Sequence, residues 1–232
     1  MSPEARNFAM TKTAIIIPAY NASTTLEKLI SQLTNYVPPK DIIVIDDGSM
    51  DDTYKIAKDK GAVIIQHEKN KGKGVALKTG FEYCLNHNYS GIITMDADLQ
   101  HDPKFVQDFL KMAKSSNYGI IIGTRQMNLK IMPLDRYLTN KICSIIISIL
   151  SGKTIHDSQS GYRWISKEVL EKVNLSSRRY DLESEILIKA GRGNFEIGEV
   201  EISTIYEKSK SFINPFVDTG RFIKVLIKSI FW

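Results

Sequence analysis

Cysteine is scarce in this chain, with only Cys84 and Cys143 among 232 residues. They stand far apart and form no CxxC pair, which excludes a disulfide framework and a thiolate metal cluster and points to a reducing compartment. Both read as small buried hydrophobes. No apolar run approaches the ~20 residues a membrane-spanning helix needs. Met1 to Thr13 also lacks the apolar core of a secretory leader. Any meeting with a membrane is therefore expected to be peripheral, through a partner, or through a segment beyond Trp232. Histidine is limited to His67, His87, His101 and His156, which show no metal-ligand spacing and read as surface or turn residues. A nucleophile elbow is missing. The Gly- and Lys-rich stretches Asn70–Gly80 and Ser151–Thr154 match neither the Walker A nor the dinucleotide-binding spacing.

What is present describes a folded domain. An apolar share of 43% with 25% charged residues excludes disorder, and the length suits one α/β domain. The net charge of +5 favours anionic partners such as nucleotides or an acidic lipid surface. No nucleic-acid-binding motif accompanies it, so no nucleic-acid partner is expected.

Short apolar runs alternate with helical spacing. Strands are expected at Thr13–Pro18, Asp41–Ile45, Ala62–Gln66, Ile92–Met95 and Tyr118–Gly123. Helices are expected at Ser23–Leu33, up to Lys60, and over Gly74–Asn86. This alternation implies βαβ units, and the continuously apolar strands imply a mostly parallel sheet covered on both faces. Ligands of such sheets bind at the carboxyl ends of the strands. Tyr20-Asn21, Asp46-Asp47 and Asp96-Ala97-Asp98 all fall there.

Leu138, Ile142, Ile145, Ile146 and Ile149 repeat at helical spacing, within a stretch of about 128–150 expected to lie at a membrane interface. Arg221, Lys224 and Lys228 share one face of an apolar C-terminal segment. The alternative for that segment is a terminal helix packed on the domain. The organisation expected is one catalytic domain over 1–210 and a membrane-associating amphipathic segment over 211–232.

Asp96 and Asp98 carry the chemical reading. Two residues apart at a strand end, they project to one side. Their charges repel unless a cation lies near, and a hard divalent ion, Mg²⁺ or Mn²⁺, prefers such oxygens and brings substrate phosphates with it. Gln100 adds a neutral oxygen. The alternative is a solvated acidic loop. Asp46 and Asp47 are candidates for binding a nucleobase or ribose. Ser49 and Asp51 read as helix caps, and Lys73 at a helix N-terminus can reach an anion.

In order and spacing, IIIPAYN (15–21), VIDDGSMD (44–51), NKGKGVALKTG (70–80), MDADLQHDP (95–103), GTR (123–125), DSQSGYRWIS (157–166) and SFINPFVDTGRFIK (211–224) resemble family 2 glycosyltransferases. Within these the chain is most similar to the dolichyl-phosphate mannose synthase-like, polyprenyl-phosphate group. The resemblance implies a GT-A fold, a Rossmann-like mostly parallel sheet flanked by helices, with amphipathic membrane-interface helices. It places Pro18, Ala19, Tyr20, Asn21, Asp46, Asp47 and Lys73 around the donor nucleotide. Asp96 falls on the ribose side, and Asp98 and Gln100 on the metal. Ala22 stands where the family often has Glu. On the acceptor side it places Arg125, Arg136, Asp157, Gln159, Ser160, Gly161 and Arg163, with the loop residues Lys208, Lys210 and Ser211, and it puts Glu183 and Glu185 in a helix closing the site. Asp98, Arg125, Arg136 and Asp157 would be the catalytic set.

The implied activity is an inverting transfer of a hexose from a GDP-mannose- or UDP-glucose-type donor to a polyprenyl or dolichyl phosphate, at the cytoplasmic face of a membrane. A hydroxyl acceptor is the alternative, with Asp157 or Glu185 as base. A nucleotidyltransferase lacks its glycine- and arginine-rich N-terminal loop here, and a catalytically silent membrane-recruitment module conflicts with the intact acidic set.

Overall fold

A computed structural model describes residues 12–125, 134–177, 179, 181–203, 226 and 229, with backbone alone at 135 and 136. Among the described residues, seven strands form one sheet: β1 (Thr13–Ala19), β2 (Ile42–Asp46), β3 (Val63–Gln66), β4 (Gly91–Thr94), β5 (Tyr118–Arg125), β6 (Arg163–Ser166) and β7 (Glu196–Ile202). The order is β3-β2-β1-β4-β6-β5-β7. All neighbouring pairs are parallel except those of β6, which runs antiparallel to both β4 and β5. The helices are α1 (Ser23–Leu33), α2 (Thr53–Asp59), α3 (Lys73–Asn86), α4 (Val106–Ser115), α5 (Leu134–Ser151), α6 (Lys167–Lys172) and α7 (Asp181–Arg192).

The strand alternation divides the core. Ala14 and Ile16 of β1 join Ile43 and Ile45 of β2 beneath α3 and α7, while Ile15 and Ile17 join Val44 beneath α1. With helices on both faces, a strand can be apolar at every position. Pro18 is tolerated in a central strand because β4 pairs with β1 only from Thr13 to Ile16. Past that point the missing N–H faces no partner strand.

The strands β1, β2, β4 and β5 end on one edge of the sheet, and the reversed β6 begins there. The chain segments after Ala19, Asp46, Thr94 and Arg125 and the segment before Arg163 therefore converge. Gly48, in the segment after Asp46, lets the loop after β3 come close. Its φ is +77°, and a Cβ there would come within 2.6 Å of the Lys69 backbone. Among the described residues, no helix is long and apolar enough to cross a membrane.

Candidate active site

The β1 and β2 ends are tied together by side chains. Asn21 takes a left-handed φ of 50°. Its N–H donates to Ser49 Oγ (2.9 Å), and Met50 N–H donates to Asn21 Oδ1 (2.9 Å). Asp51 accepts from Ser23 N at the start of α1 and from Thr53 N at the start of α2 (3.0 and 3.1 Å). Burial pushes the Asp51 carboxyl up, but hydrogen bonds from Thr53 and Ser23 outweigh it and hold it at about 2. Tyr20 is half exposed above this frame, and Pro18 lies partly open beside it.

Asp46 and Asp47 differ from the expectation of donor-facing carboxylates, because both are buried and engaged within the protein. Asp46 accepts from Ser49 N and from Gln66 Nε2, each at 2.8 Å. Asp47 accepts from Lys71 N (2.9 Å) and Gly72 N (2.7 Å), and His67 Nδ1 lies 2.7 Å from its Oδ1. The loop leading into α3 thus hangs on Asp47. His67 is not the surface residue expected: it is buried between Asp47 and Thr79.

At the end of β4, Asp96 Oδ1 lies 2.6 Å from Lys73 Nζ, and Glu183 Oε1 of α7 approaches the same ammonium at 3.1 Å. Asp98 is exposed, and its Oδ1 accepts from Gln100 N at 3.0 Å. Leu99 between them takes φ 62°, a strained conformation for a residue with a Cβ, held by that tight acidic turn. Although Asp98 as a residue is exposed, the protein around its carboxyl partly desolvates it and pushes it up, and the charge of Asp96 adds to this, while Gln100 and Lys73 oppose it. Such crowded negative charge fits a divalent cation. The oxygen set would be Asp96, Asp98 and Gln100, with remaining positions open to phosphate and water, as Mg²⁺ and Mn²⁺ prefer. Among the described residues, no three His, Cys, Asp or Glu side chains gather to hold a metal; two carboxylates and an amide are what the turn offers.

His101, expected on the surface, is buried against Tyr162, with ring centroids 5.1 Å apart, and its Nδ1 has no hydrogen-bond partner among the described residues. Burial pushes it down to about 4, against the pull of Asp96, so it is neutral near pH 7.

Across the site, Asp157 is fully buried and grips Arg125 at the end of β5. Arg125 Nε donates to Oδ2 (2.7 Å) and Nη2 to Oδ1 (2.8 Å). Asp157 thus aims an arginine and is closed to solvent. Arg163 departs from the expected acceptor contact: it is buried at the start of β6, and its nitrogens donate to the carbonyls of Ser160 (2.8 Å), Glu183 (2.6 Å) and Ser158 (2.7 Å). It anchors the 157–163 segment to α7. Ser160 is buried as well, whereas Gln159 is exposed. Glu185 is fully buried and accepts from Ser176 N (2.9 Å), Ser177 N (2.7 Å) and Lys189 Nζ (2.7 Å), which removes it as a free base.

A cavity of about 290 Å³ opens beside Arg125, lined also by Thr124, Tyr137, Lys141, Ser144, Ile145 and His156. Thr124 Oγ1 is buried there without a hydrogen-bond partner among the described residues. From Ile145 the wall continues onto an exposed apolar stripe of α5 formed by Leu134, Leu138, Ile142 and Ile149. The Arg136 side chain, Lys208, Lys210, Ser211 and the segment 211–232, apart from Leu226 and Ser229, lie outside the described residues.

Sequence reasoning missed the burial of His67 and His101 and the pairing of Glu183 with Lys73. No spacing rule links these positions. Only the adjacency of His101 to Gln100 in the acidic motif offered a signal.

The family model of Glycosyl transferase family 2 matches residues 14–173. UDP-N-acetylglucosamine–dolichyl-phosphate N-acetylglucosaminyltransferase of Methanococcus voltae is 35% identical over 214 residues, covering 83% of this chain and 85% of the relative. Polyprenol monophosphomannose synthase of Mycolicibacterium smegmatis is 32% identical over 204 residues, covering 83% and 77%. Glucosyl-3-phosphoglycerate synthase of Mycobacterium tuberculosis, solved with Mn²⁺, UDP and glucosyl-3-phosphoglycerate, aligns with a TM-score of 0.72 at 20% identity over 96% of this chain and 79% of that one. Its complex with Mg²⁺ and UDP aligns with a TM-score of 0.74. At that identity the likeness shows a shared fold.

Proposed function

The chain belongs to glycosyl transferase family 2, and from that premise we propose that it moves a hexose from a nucleotide-diphosphate sugar to a polyprenyl phosphate at a membrane surface, with inversion at the anomeric carbon. The observation that carries the acceptor class is the arginine-lined cavity that runs onto the apolar stripe of α5 through Ile145. It suits a molecule with an anionic head and a hydrocarbon tail. The activities named for the Methanococcus and Mycolicibacterium relatives support the same class.

A phosphate monoester ionises a second time near pH ~6, so at neutral pH it is already a nucleophile and needs positioning more than a base. The carboxylates that a hydroxyl acceptor would need, Asp157 and Glu185, are buried and committed elsewhere. Arg125, held in a fixed plane by Asp157, presents charge toward the cavity. On the donor side, Tyr20 and Asn21 face the open edge while Asp46 and Asp47 stiffen the loops beneath them.

A divalent ion on Asp96, Asp98 and Gln100 would stabilise the negative charge that builds on the leaving nucleoside diphosphate. The Mn²⁺ and Mg²⁺ complexes of the mycobacterial synthase support this choice of ion. The apolar stripe of α5 supports peripheral attachment to the bilayer that carries the acceptor.

The test offers the full chain a panel of GDP- and UDP-sugars with polyprenyl monophosphate or an oligosaccharide alcohol. Product is read by mass spectrometry and anomeric configuration by NMR. An inverted, phosphate-linked lipid sugar is expected, lost in EDTA and in Asp98→Asn while the circular dichroism spectrum is unchanged. Transfer to the alcohol alone would overturn the acceptor assignment.

A further inference from the structure

Lys73 opens α3 at the carboxyl edge of the sheet, with its ammonium between two carboxylates from distant parts of the chain. Asp96 Oδ1 is 2.6 Å away and Glu183 Oε1 is 3.1 Å away. Only 16% of the Lys73 side chain is exposed. Burial alone disfavours the charged amine, yet Asp96 and Glu183 reverse this and hold it above the usual lysine range. Gly161 forms the floor of the cluster. A Cβ there would lie 2.9 Å from Asp96 Oδ2, 3.2 Å from Glu183 Oε1 and 3.2 Å from Lys73 Nζ. No left-handed backbone calls for glycine at this position. The room it leaves is taken by three charged groups.

This geometry poses a problem for a cation that must bind Asp96. The carboxylate already holds an ammonium, and that ammonium is too enclosed to be released to bulk water without a large desolvation cost. It needs a second anionic partner inside the protein, and Glu183 already stands within ion-pair distance.

We propose that Glu183 is a positioning residue that retains Lys73 when a divalent cation engages Asp96, so that metal entry becomes an exchange of partners within one cluster. This rests on the donor-metal reading above. Glu183 acts through Lys73, and it is the glutamate side chain that matters. The backbone of α7 is anchored separately, because Arg163 Nη1 donates to the Glu183 carbonyl at 2.6 Å, so a substitution of the side chain leaves the helix in place.

The experiment measures Mn²⁺ binding to the full chain by the loss of the free-ion electron paramagnetic resonance signal, with no donor present, alongside the thermal midpoint. Glu183→Gln should weaken Mn²⁺ binding by about tenfold, since the ammonium then stays on Asp96. Glu183→Asp should recover most of the loss. Lys73→Met should tighten Mn²⁺ binding, because Asp96 is then unmasked, and Glu183→Gln added to Lys73→Met should change nothing further. Wild-type affinity in Glu183→Gln at an unchanged thermal midpoint would overturn the proposal. An equal loss with and without Lys73 would also overturn it, since the glutamate would then act as a simple through-space charge. If wild type binds Mn²⁺ and Asp98→Asn does not, the metal reading stands whatever Glu183 does. If wild type binds none, both fall.

Discussion

Replacing Glu185 by Gln separates a structural carboxylate from a catalytic one. The side chain is fully buried in α7 and accepts from the backbone of Ser176 and Ser177 and from Lys189. Burial pushes its carboxyl up, but those hydrogen bonds prevail and take it from 4.5 down to about 2. A displacement of that size corresponds to about 3 kcal/mol favouring the folded, ionised form. Because the folded value is the depressed one, the stabilisation is complete above the unfolded value and disappears as pH falls from about 5 toward 2. Urea unfolding at pH 7 should therefore show Glu185→Gln less stable by about 2–3 kcal/mol, with the gap shrinking to less than half near pH ~3. At pH 7 without urea the variant should keep its wild-type turnover per folded molecule. A stability gap under about 1 kcal/mol, or one that ignores pH, would refute the structural assignment. A folded but inactive variant would return Glu185 to the list of candidate bases.

Asp157→Asn should strand the Arg125 guanidinium, lowering stability by about 3 kcal/mol and raising the acceptor KM more than the donor KM; unfolding curves and initial rates check both. Arg125→Lys keeps the charge but loses the two-point grip, and turnover on polyprenyl phosphate should fall by at least about tenfold. Ile142→Asn combined with Ile149→Asn on the exposed α5 stripe should weaken binding to anionic lipid vesicles by roughly tenfold or more, read by co-sedimentation, with the thermal midpoint unchanged.

The first half of the fold was legible because its strands carry unbroken apolar runs and each ends in a polar turn. The span Ser23–Leu33 of α1 follows directly from Leu26, Leu29, Ile30 and Leu33 on one face. The second half was harder to read. The four residues of β6 are short and run against the sheet, and Arg163 at their head carries a charge that periodicity assigns to solvent. Its burial depends on carbonyls from Ser158, Ser160 and Glu183, which a linear pattern does not display. Asp46 and Asp47 illustrate the same limit from the other side. Their position at a strand end placed them at the correct edge, but which way each carboxylate turns is set by Ser49 N–H and the Gln66 amide for Asp46, and by loop N–H groups at Lys71 and Gly72 for Asp47.

The reversed β6 has a consequence for how the molecule can be divided. Gly91–Thr94 and Ile120–Ile122 do not pair with each other; both pair with the strip that begins at Arg163. A fragment ending before that strip would carry every motif associated with the sugar nucleotide, yet it would have a gap through the middle of its sheet and nothing to carry Gly161 beneath Lys73. The two sides of the proposed site therefore stand or fall as one cooperative unit, and a split-protein pair cut between Ser151 and Asp157 should regain the proposed transfer only when both pieces are present.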